Sequence, residues 1–173
     1  MVEVRPSAVR VDMHSNTPVV FLQETEGARR SLPIFIGSPE ATAIAFALKG
    51  ISASRPMTHD LMRDVLVAID ATVTRVVVTE LRDSTFFAEI HIAFGDRTFE
   101  VSCRPSDAIA LATRTSSPLY VADELMDAEG VFIDVDDDDE DEADVEEENA
   151  NPDELVGQFL QFLDQVKPED FSP

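Results

Sequence analysis

The run Arg104-Pro105-Ser106-Asp107-Ala108-Ile109-Ala110-Leu111-Ala112 indicates how this chain is built. A shift of 65 residues places its alanine-rich half on Ala43-Ile44-Ala45-Phe46-Ala47, so the chain contains an internal repeat. Both segments are apolar around most of the circumference of a helix, which is typical of helices that are covered on more than one side. The repeat therefore predicts two helices that pack tightly against sheets.

Strand patterns precede each of these helices. In the first copy, alternating apolar residues and turn signals predict three strands and a helix over residues 2–12, 19–24, 32–36 and 38–48. The second copy predicts the same order over residues 72–81, 86–94, 98–103 and 105–113. The sequence therefore predicts an α+β fold of duplicated strand-strand-strand-helix units in a layered arrangement of sheet and helices.

Two further elements complete the predicted body. An extra helix over residues 58–69 lies between the copies, with Thr58 as its N-cap, and a short strand covers residues 119–121. The extra helix carries an apolar stripe, which we expect to pack against the body; its members are Leu61, Val65, Leu66 and Ile69.

The formal charge of −22 is distributed unevenly. Residues 134–173 hold 17 acidic residues and one lysine, whereas residues 1–133 hold 18 acidic and 12 basic residues. Between residues 134 and 148, 12 of 15 residues are acidic, which predicts disorder through mutual repulsion. The predicted organisation is a domain over residues 1–135, an acidic linker over 136–150 and an amphipathic helix over 151–173. That helix must bury its stripe on its own body, a second subunit or a foreign partner.

The composition also indicates the cellular compartment of the protein. The single cysteine, Cys103, excludes an internal disulfide and a cysteine-based zinc cluster. No apolar run approaches the ~18 residues of a membrane span, and the N-terminal residues lack the pattern of a secretion signal. We therefore expect a cytoplasmic protein with no membrane contact. Exposed strand edges in a small layered fold favour a homo-oligomer, with a dimer as the first choice.

Three predicted helix starts carry polar residues suited to binding. They are Ser38-Pro39-Glu40, Arg55-Pro56-Met57-Thr58-His59-Asp60 and Arg104-Pro105-Ser106-Asp107. A helix N-terminus exposes unpaired N–H groups and a partial positive charge, so a neighbouring arginine makes it suited to a phosphate or a carboxylate. The residues expected to bind an anion are Arg55, Thr58, Arg104 and Ser106.

His59 and Asp60 form the strongest chemical pair, because an imidazole and a carboxylate both transfer protons near neutral pH. Adjacent residues at a helix start point in different directions, so a metal bound by Asp60 also needs Glu40 or Asp107. The alternative is purely structural. Thr58 and Asp60 then cap the helix while His59 bonds a backbone carbonyl, and Ser106 or Asp107 caps the later helix. His14 and His91 are expected to be solvated.

Signatures of other enzyme classes are missing from the sequence. It contains no dinucleotide-binding glycine motif, phosphate loop, nucleophile elbow or His-Glu-x-x-His motif. It also has no tryptophan and one tyrosine, and its phenylalanines at 86, 87, 94 and 99 alternate as core residues do. The sequence therefore shows no aromatic platform on which the bases of a single strand could stack.

Four segments together resemble the bifunctional nuclease domain family. They are residues 32–37 (Leu-Pro-Ile-Phe-Ile-Gly) with Glu40-Ala41, residues 55–61 (Arg-Pro-Met-Thr-His-Asp-Leu), residues 104–112, and Pro118-Leu119-Tyr120-Val121. The resemblance covers residues 2–135 with the motifs in the same order and spacing, and the acidic run and closing helix resemble the actinobacterial members. It implies an α+β fold of duplicated units. It also implies cleavage of both RNA and DNA, an activity attached chiefly to plant members.

Metal-assisted cleavage of a phosphodiester needs a divalent ion held by carboxylates and a cation for the developing charge. Glu40, Asp60 and Asp107 can supply the ligands for Mg²⁺ or Mn²⁺. Arg55 and Arg104 can supply the cation, and His59 can carry a proton. The first hypothesis is therefore a metal-dependent nuclease of low sequence specificity. The alternative is a non-catalytic regulatory or scaffold module, with an anion-binding pocket and an acidic tail that recruits an unknown partner.

Overall fold

The computed structural model describes residues 1–132, which form a mixed sheet with helices. The strands of this part of the chain are β1 (Val2–Asp12), β2 (Thr17–Glu24), β3 (Ser31–Phe35), β4 (Ala71–Arg82), β5 (Thr85–Phe94), β6 (Arg97–Cys103) and β7 (Leu119–Val121). Its helices are α1 (Ser38–Leu48), α2 (Thr58–Ala68), α3 (Pro105–Thr115) and α4 (Asp123–Glu129). Every element predicted in this region exists, with bounds within two residues of the prediction.

The strands form one sheet in the order β3-β2-β1-β7-β4-β5-β6. Neighbouring strands are antiparallel except for β7 and β4, which are parallel. Three antiparallel strands precede α1 in one half of the sheet, and three precede α3 in the other half. The predicted α+β class is therefore confirmed. The short strand β7 joins the two halves, because it pairs with β1 on one side and β4 on the other.

Helix α3 lies at the centre of the core. Its residues 108–112 are at most 3% exposed, and they pack with buried residues of both halves of the sheet. Burying a side chain as large as Ile109 or Leu111 contributes roughly 1.5–3 kcal/mol of stability. The small residues Ala108, Ala110 and Ala112 alternate with these two, and α3 also contacts α1. The prediction of two deeply buried repeat helices is confirmed for α3, and α1 is buried on the face that carries Ile44.

Helix α2 packs with a different face from the predicted one. Leu61, Val65 and Ile69 are about half exposed, so the prediction that the stripe packs against the body was wrong for these three residues and was confirmed for Leu66. His59 faces the body together with Leu66, since residues seven apart lie on the same side of a helix. The reason is that a buried polar residue at the start of α2 fixes the rotation of the helix about its axis.

The N-cap of α2 also differs from the prediction. The helix begins at Thr58, and Met57 is the N-cap residue. The Met57 backbone N–H donates to Asp60 Oδ2 at 3.0 Å, so the carboxylate at the third helical position satisfies a free backbone donor. The Thr58 side chain has no capping role.

Helix α4 was not predicted, although two acids at its start and the apolar pair Leu125 and Met126 are typical of a short helix. Arg30 ties it to the sheet, since its guanidinium donates to both Glu24 Oε1 and Asp127 Oδ1. After α4, Val131 pairs with Ser31 of the edge strand β3.

The remaining predicted segments, the acidic linker over 136–150 and the helix over 151–173, lie outside the described residues. Among the helices of the described part, none has the length and hydropathy needed to cross a bilayer.

Candidate functional site

The N-termini of α1, α2 and α3 meet at a cleft of about 330 Å³. The residue before each helix is extended, and prolines in the first turns of α1 and α3 fix a backbone angle compatible with a helix. These local signals determine where the helices start, and the sheet order determines that the starts adjoin. The polar residues that line the cleft are Glu40, Thr58, His59, Arg104 and Asp107.

Arg104 joins two of the helix starts through its guanidinium group. Its Nε donates to Asp107 Oδ2 at 2.7 Å and its Nη2 to Asp107 Oδ1 at 3.0 Å. The same Nη2 donates to Glu40 Oε1 at 2.7 Å. These bonds raise the pKa of Arg104, so the group stays charged. Because the Arg104 side chain is 65% exposed, water screens these pairs and a ligand anion can compete for the guanidinium.

His59 contacts the same carboxylate as Arg104. Its Nε2 lies 3.1 Å from Asp107 Oδ1, and the residue is only 6% exposed. Burial acts to raise the pKa of Asp107, but hydrogen bonds from Arg104 and His59 outweigh it and lower the pKa below its ordinary 3.8. Asp107 is therefore an ionised acceptor near neutral pH, and the Nε2 that faces it carries a proton.

The other ring nitrogen of His59 is consequently the basic one when the imidazole is neutral. Nδ1 of His59 has no hydrogen-bond partner among the described residues. Every fully buried side-chain nitrogen or oxygen of these residues has a partner. Nδ1 is therefore not fully buried, and His59 lines the cleft. An imidazole that is oriented by a carboxylate at one nitrogen and has the other nitrogen free has the geometry of a general base.

Asp60 lies apart from this group and does not line the cleft. Its Oδ1 accepts from Arg114 Nε at 2.7 Å and its Oδ2 from the Met57 N–H. The Arg114 side chain is 5% exposed and also donates to the carbonyls of Ala110 and Ala43. Burial acts to raise the pKa of Asp60, but the bonds from Arg114 and Met57 lower it overall. The pair therefore locks α2 onto α1 and α3.

The other predicted site residues differ in whether they line the cleft. Arg55 is exposed, and its side chain makes no hydrogen bond or ion pair within residues 1–132. Thr58 lies on the cleft wall. Ser106 is buried and lines an adjoining cleft that also contains Arg104. The structure thus brings together Glu40, His59, Arg104 and Asp107, with Thr58 beside them.

Sequence reasoning missed Arg114, because nothing in the apolar pattern of its helix indicates that its partner is Asp60. It also misjudged His91, whose side chain is mostly buried between Glu100 and Glu89. His14 is fully exposed, as predicted. Burial, with the charges of Asp107 and Glu89, raises the pKa of the Cys103 thiol to about 11, which makes it a poor nucleophile near neutral pH.

The metal ligands expected from the sequence are not assembled in one place. Glu40 and Asp107 share the cleft, but Arg104 bonds both carboxylates, and Asp60 faces Arg114. Within the described residues no three His, Cys, Asp or Glu side chains are grouped as a metal site requires. The donor set therefore does not fit a three-carboxylate metal site in this arrangement.

The class of this protein follows from the comparison of its sequence with known families. The profile of the bifunctional nuclease domain matches residues 20–134, so the chain belongs to the bifunctional nuclease domain family. The resemblance carried by the helix-start motifs is thereby confirmed.

Relatives of the chain fall into two groups. An uncharacterized protein of Mycobacterium tuberculosis is 40% identical over 171 residues, which cover 99% of this chain and 98% of the relative. Bifunctional nuclease 2 of Arabidopsis thaliana is 28% identical over 115 residues, 65% of this chain and 35% of the plant protein. Bifunctional nuclease 2 of Oryza sativa subsp. japonica is 24% identical over 117 residues, 66% of this chain and 36% of that protein. The match thus spans about a third of each plant relative.

Proposed function

We propose that this protein is a nuclease that hydrolyses phosphodiester bonds in DNA and RNA with low sequence specificity. The scissile phosphate binds in the cleft between the starts of α1, α2 and α3. The observation that supports this proposal is that one carboxylate, Asp107, bonds both an imidazole and a guanidinium at a solvent-open cleft. The names of the plant relatives, bifunctional nucleases, are consistent with the same chemistry.

Each group has a defined role in the proposed reaction. His59 Nδ1 takes a proton from water as the water oxygen bonds to phosphorus. Arg104 neutralises the charge that develops on the non-bridging oxygens, and Asp107 holds both groups in position. The bond from phosphorus to the leaving sugar oxygen breaks, and that oxygen takes a proton from solvent. No base is contacted in these steps, which is consistent with low sequence specificity.

The divalent ion expected from the sequence stays a prediction. Its proposed ligands Glu40 and Asp107 are bonded to Arg104, and no step of the proposed reaction passes through a metal. Assays in the presence of Mg²⁺, Mn²⁺ or a chelator test the ion directly. The roles predicted for Asp60 in catalysis and for Arg55 in anion binding also stay predictions.

Labelled single-stranded DNA and RNA provide the test, with each metal and with chelator. We expect His59→Gln and Arg104→Ala to lower the cleavage rate about 10²-fold or more, since general base catalysis and charge stabilisation each contribute on that order. Two control variants make the same changes outside the cleft. They are His14→Gln, fully exposed, and Arg63→Ala, whose ion pair with Asp64 is exposed on α2. Cleavage that is equal in all four variants comes from a contaminant and refutes the proposal.

The alternative is a non-catalytic module that binds an anionic ligand. One observation favours it over a nuclease: Glu40 and Asp107 outnumber Arg104 at the cleft, so when His59 is neutral the site is net negative and repels a polyanion such as nucleic acid more strongly than a small anion that contacts Arg104 alone. The full chain, at −22, also repels nucleic acid. Under this alternative, purified protein binds an anion in an Arg104-dependent manner but cleaves neither substrate under any metal condition.

The predicted homo-oligomer, the unknown partner of the acidic tail and the cytoplasmic location also stay predictions. Light scattering on the full chain measures the oligomeric state. Capture experiments with and without the residues after 133 measure whether the tail recruits a partner.

A further inference from the structure

Arg104 lines a second cleft as well as the first one. This second cleft measures about 350 Å³, within the ~300–1,000 Å³ range of small-ligand sites. Its walls come from the end of β3, the β4–β5 turn, the start of β2 and the start of α3. A phosphate held by Arg104 would therefore have a separate compartment beside it, large enough for part of a nucleotide.

Phe35 is the unusual feature of this compartment. It ends the edge strand β3, and its neighbours Ile34 and Ile36 are buried on the core side, so the strand alternation turns Phe35 outward. The residue is 58% exposed and lines the second cleft. An exposed phenylalanine ring in a cleft offers a flat face on which any of the four bases can stack. The sequence does not predict that Phe35 is exposed, because the residue lies within an apolar run that is typical of a core strand.

Ser106 supplies an independent polar observation. It is 6% exposed and lines the same cleft, and its hydroxyl makes no hydrogen bond to any of the described residues. No fully buried polar side-chain atom in that part of the chain lacks a partner, so the Ser106 hydroxyl is not fully buried, and the residue lines this cleft. A hydroxyl that can donate and accept suits a sugar, a phosphate or the edge of a base.

We propose that the second cleft binds a nucleobase of single-stranded nucleic acid, stacked on Phe35, next to the phosphate held by Arg104. This inference rests on the proposed nuclease function and deepens it by naming the form of the substrate. A base within a duplex is already stacked on its neighbours, so only an unpaired base can occupy the cleft. Stacking on a ring tolerates every base, so the site selects single strands without selecting a sequence.

The chain offers a direct spectroscopic test because it contains no tryptophan. Phe35→Trp places one indole in the cleft, and His59→Gln in the same protein prevents the proposed cleavage during titration. The probes are a single-stranded thymidine oligonucleotide, an abasic sugar-phosphate strand of the same length and a DNA duplex, all at low ionic strength. The control is Phe94→Trp in the same background, since Phe94 is 44% exposed at the end of β5 and lines neither cleft.

We expect the thymidine strand to quench the emission of the indole introduced by Phe35→Trp to saturation, while the abasic strand and the duplex leave it unchanged. The same strand leaves the control indole at position 94 unchanged. Replacing Phe35 by alanine or leucine lowers the affinity for the strand about 5-fold to 100-fold, because neither side chain has a ring to stack on. Equal quenching by the abasic strand, no quenching at all, or full affinity in the leucine variant overturns the inference. Circular dichroism melts confirm that each variant is folded.

The outcomes separate this inference from the proposed function. Base-dependent quenching without cleavage by the wild-type protein supports the base site and removes the nuclease proposal. Cleavage that requires His59 but does not change in Phe35→Ala supports the nuclease and removes the base site.

Discussion

Replacement of Asp60 by asparagine tests whether this residue has a structural role or a chemical one. The sequence made Asp60 a candidate for catalysis and for metal binding, whereas both of its oxygens bond groups within the fold. Asp60→Asn keeps the shape of the side chain but removes its charge. It leaves the Arg114 guanidinium, 5% exposed, with two backbone carbonyls and no counter-charge.

The expected loss is about 3 kcal/mol of unfolding free energy. Breaking one partner of a buried ion pair costs ~3–5 kcal/mol, and the lower end applies because the Asp60 side chain is 23% exposed. For a domain of this size the loss corresponds to a drop in Tm of roughly 10 °C. Asp64→Asn is the matched control on the same helix. Its ion pair with Arg63 is exposed on both sides, so we expect a change of less than about 1 kcal/mol.

The effect depends on pH in a defined direction. The pKa of Asp60 in the folded protein lies below its ordinary 3.8, so the folded state holds the ionised form more tightly than the unfolded state does. The stability that this carboxylate contributes is present above pH 3.8 and is lost as the pH falls through the lowered folded-state pKa. The difference between wild type and Asp60→Asn should therefore be constant near neutral pH and shrink in strong acid.

Urea unfolding followed by far-UV circular dichroism measures these differences. We expect Asp60→Asn to lower the unfolding midpoint strongly and Asp64→Asn to leave it nearly unchanged. An Asp60→Asn protein that is as stable as the control, yet has lost all cleavage activity, would refute the structural role and restore Asp60 as a catalytic or metal-binding residue.

Three further predictions rest on the remaining contacts. Glu40→Gln releases Arg104 from one carboxylate, so isothermal titration should show tighter binding of inorganic phosphate than in wild type; weaker binding would mean that Glu40 positions the arginine for the anion. Glu24→Gln should lower the urea midpoint near neutral pH, because hydrogen bonds from Arg30 lower the pKa of Glu24. The higher stability of the wild type is present above pH 4.5 and disappears in acid. A stability difference that does not change with pH contradicts this account. Cys103 should react slowly with iodoacetamide at pH 7 and much faster only as the pH approaches its raised pKa of about 11, whereas fast labelling at pH 7 would show that the thiol is accessible and ionised.

Much of the fold could be predicted from local patterns. Alternation of apolar residues identified the strands, and proline with acids in the first turn identified the starts of α1 and α3. The rotation of α2 could not be predicted in the same way. Its sequence offers an apolar stripe through Leu61 and Val65, but a buried His59 and the hydrogen bond that Arg114 donates to Asp60 orient the helix differently. Hydrophobic periodicity does not account for a buried polar contact with a distant residue.

For the candidate site too, local sequence patterns predicted one part and tertiary packing decided the other. The sequence alone determined the element types, the three helix starts with their polar residues, and the membership of the family, because these depend on short-range periodicity and on motif order. The tertiary structure decided which polar groups meet. His59 contacts Asp107, which is 48 residues away in the sequence, and Arg104 contacts Glu40, which is 64 residues away. Asp60 contacts Arg114, 54 residues away. These choices depend on how β7 joins the two halves of the sheet and sets α1, α2 and α3 side by side. Contacts between segments so far apart follow from that packing, and no local pattern in the sequence encodes them.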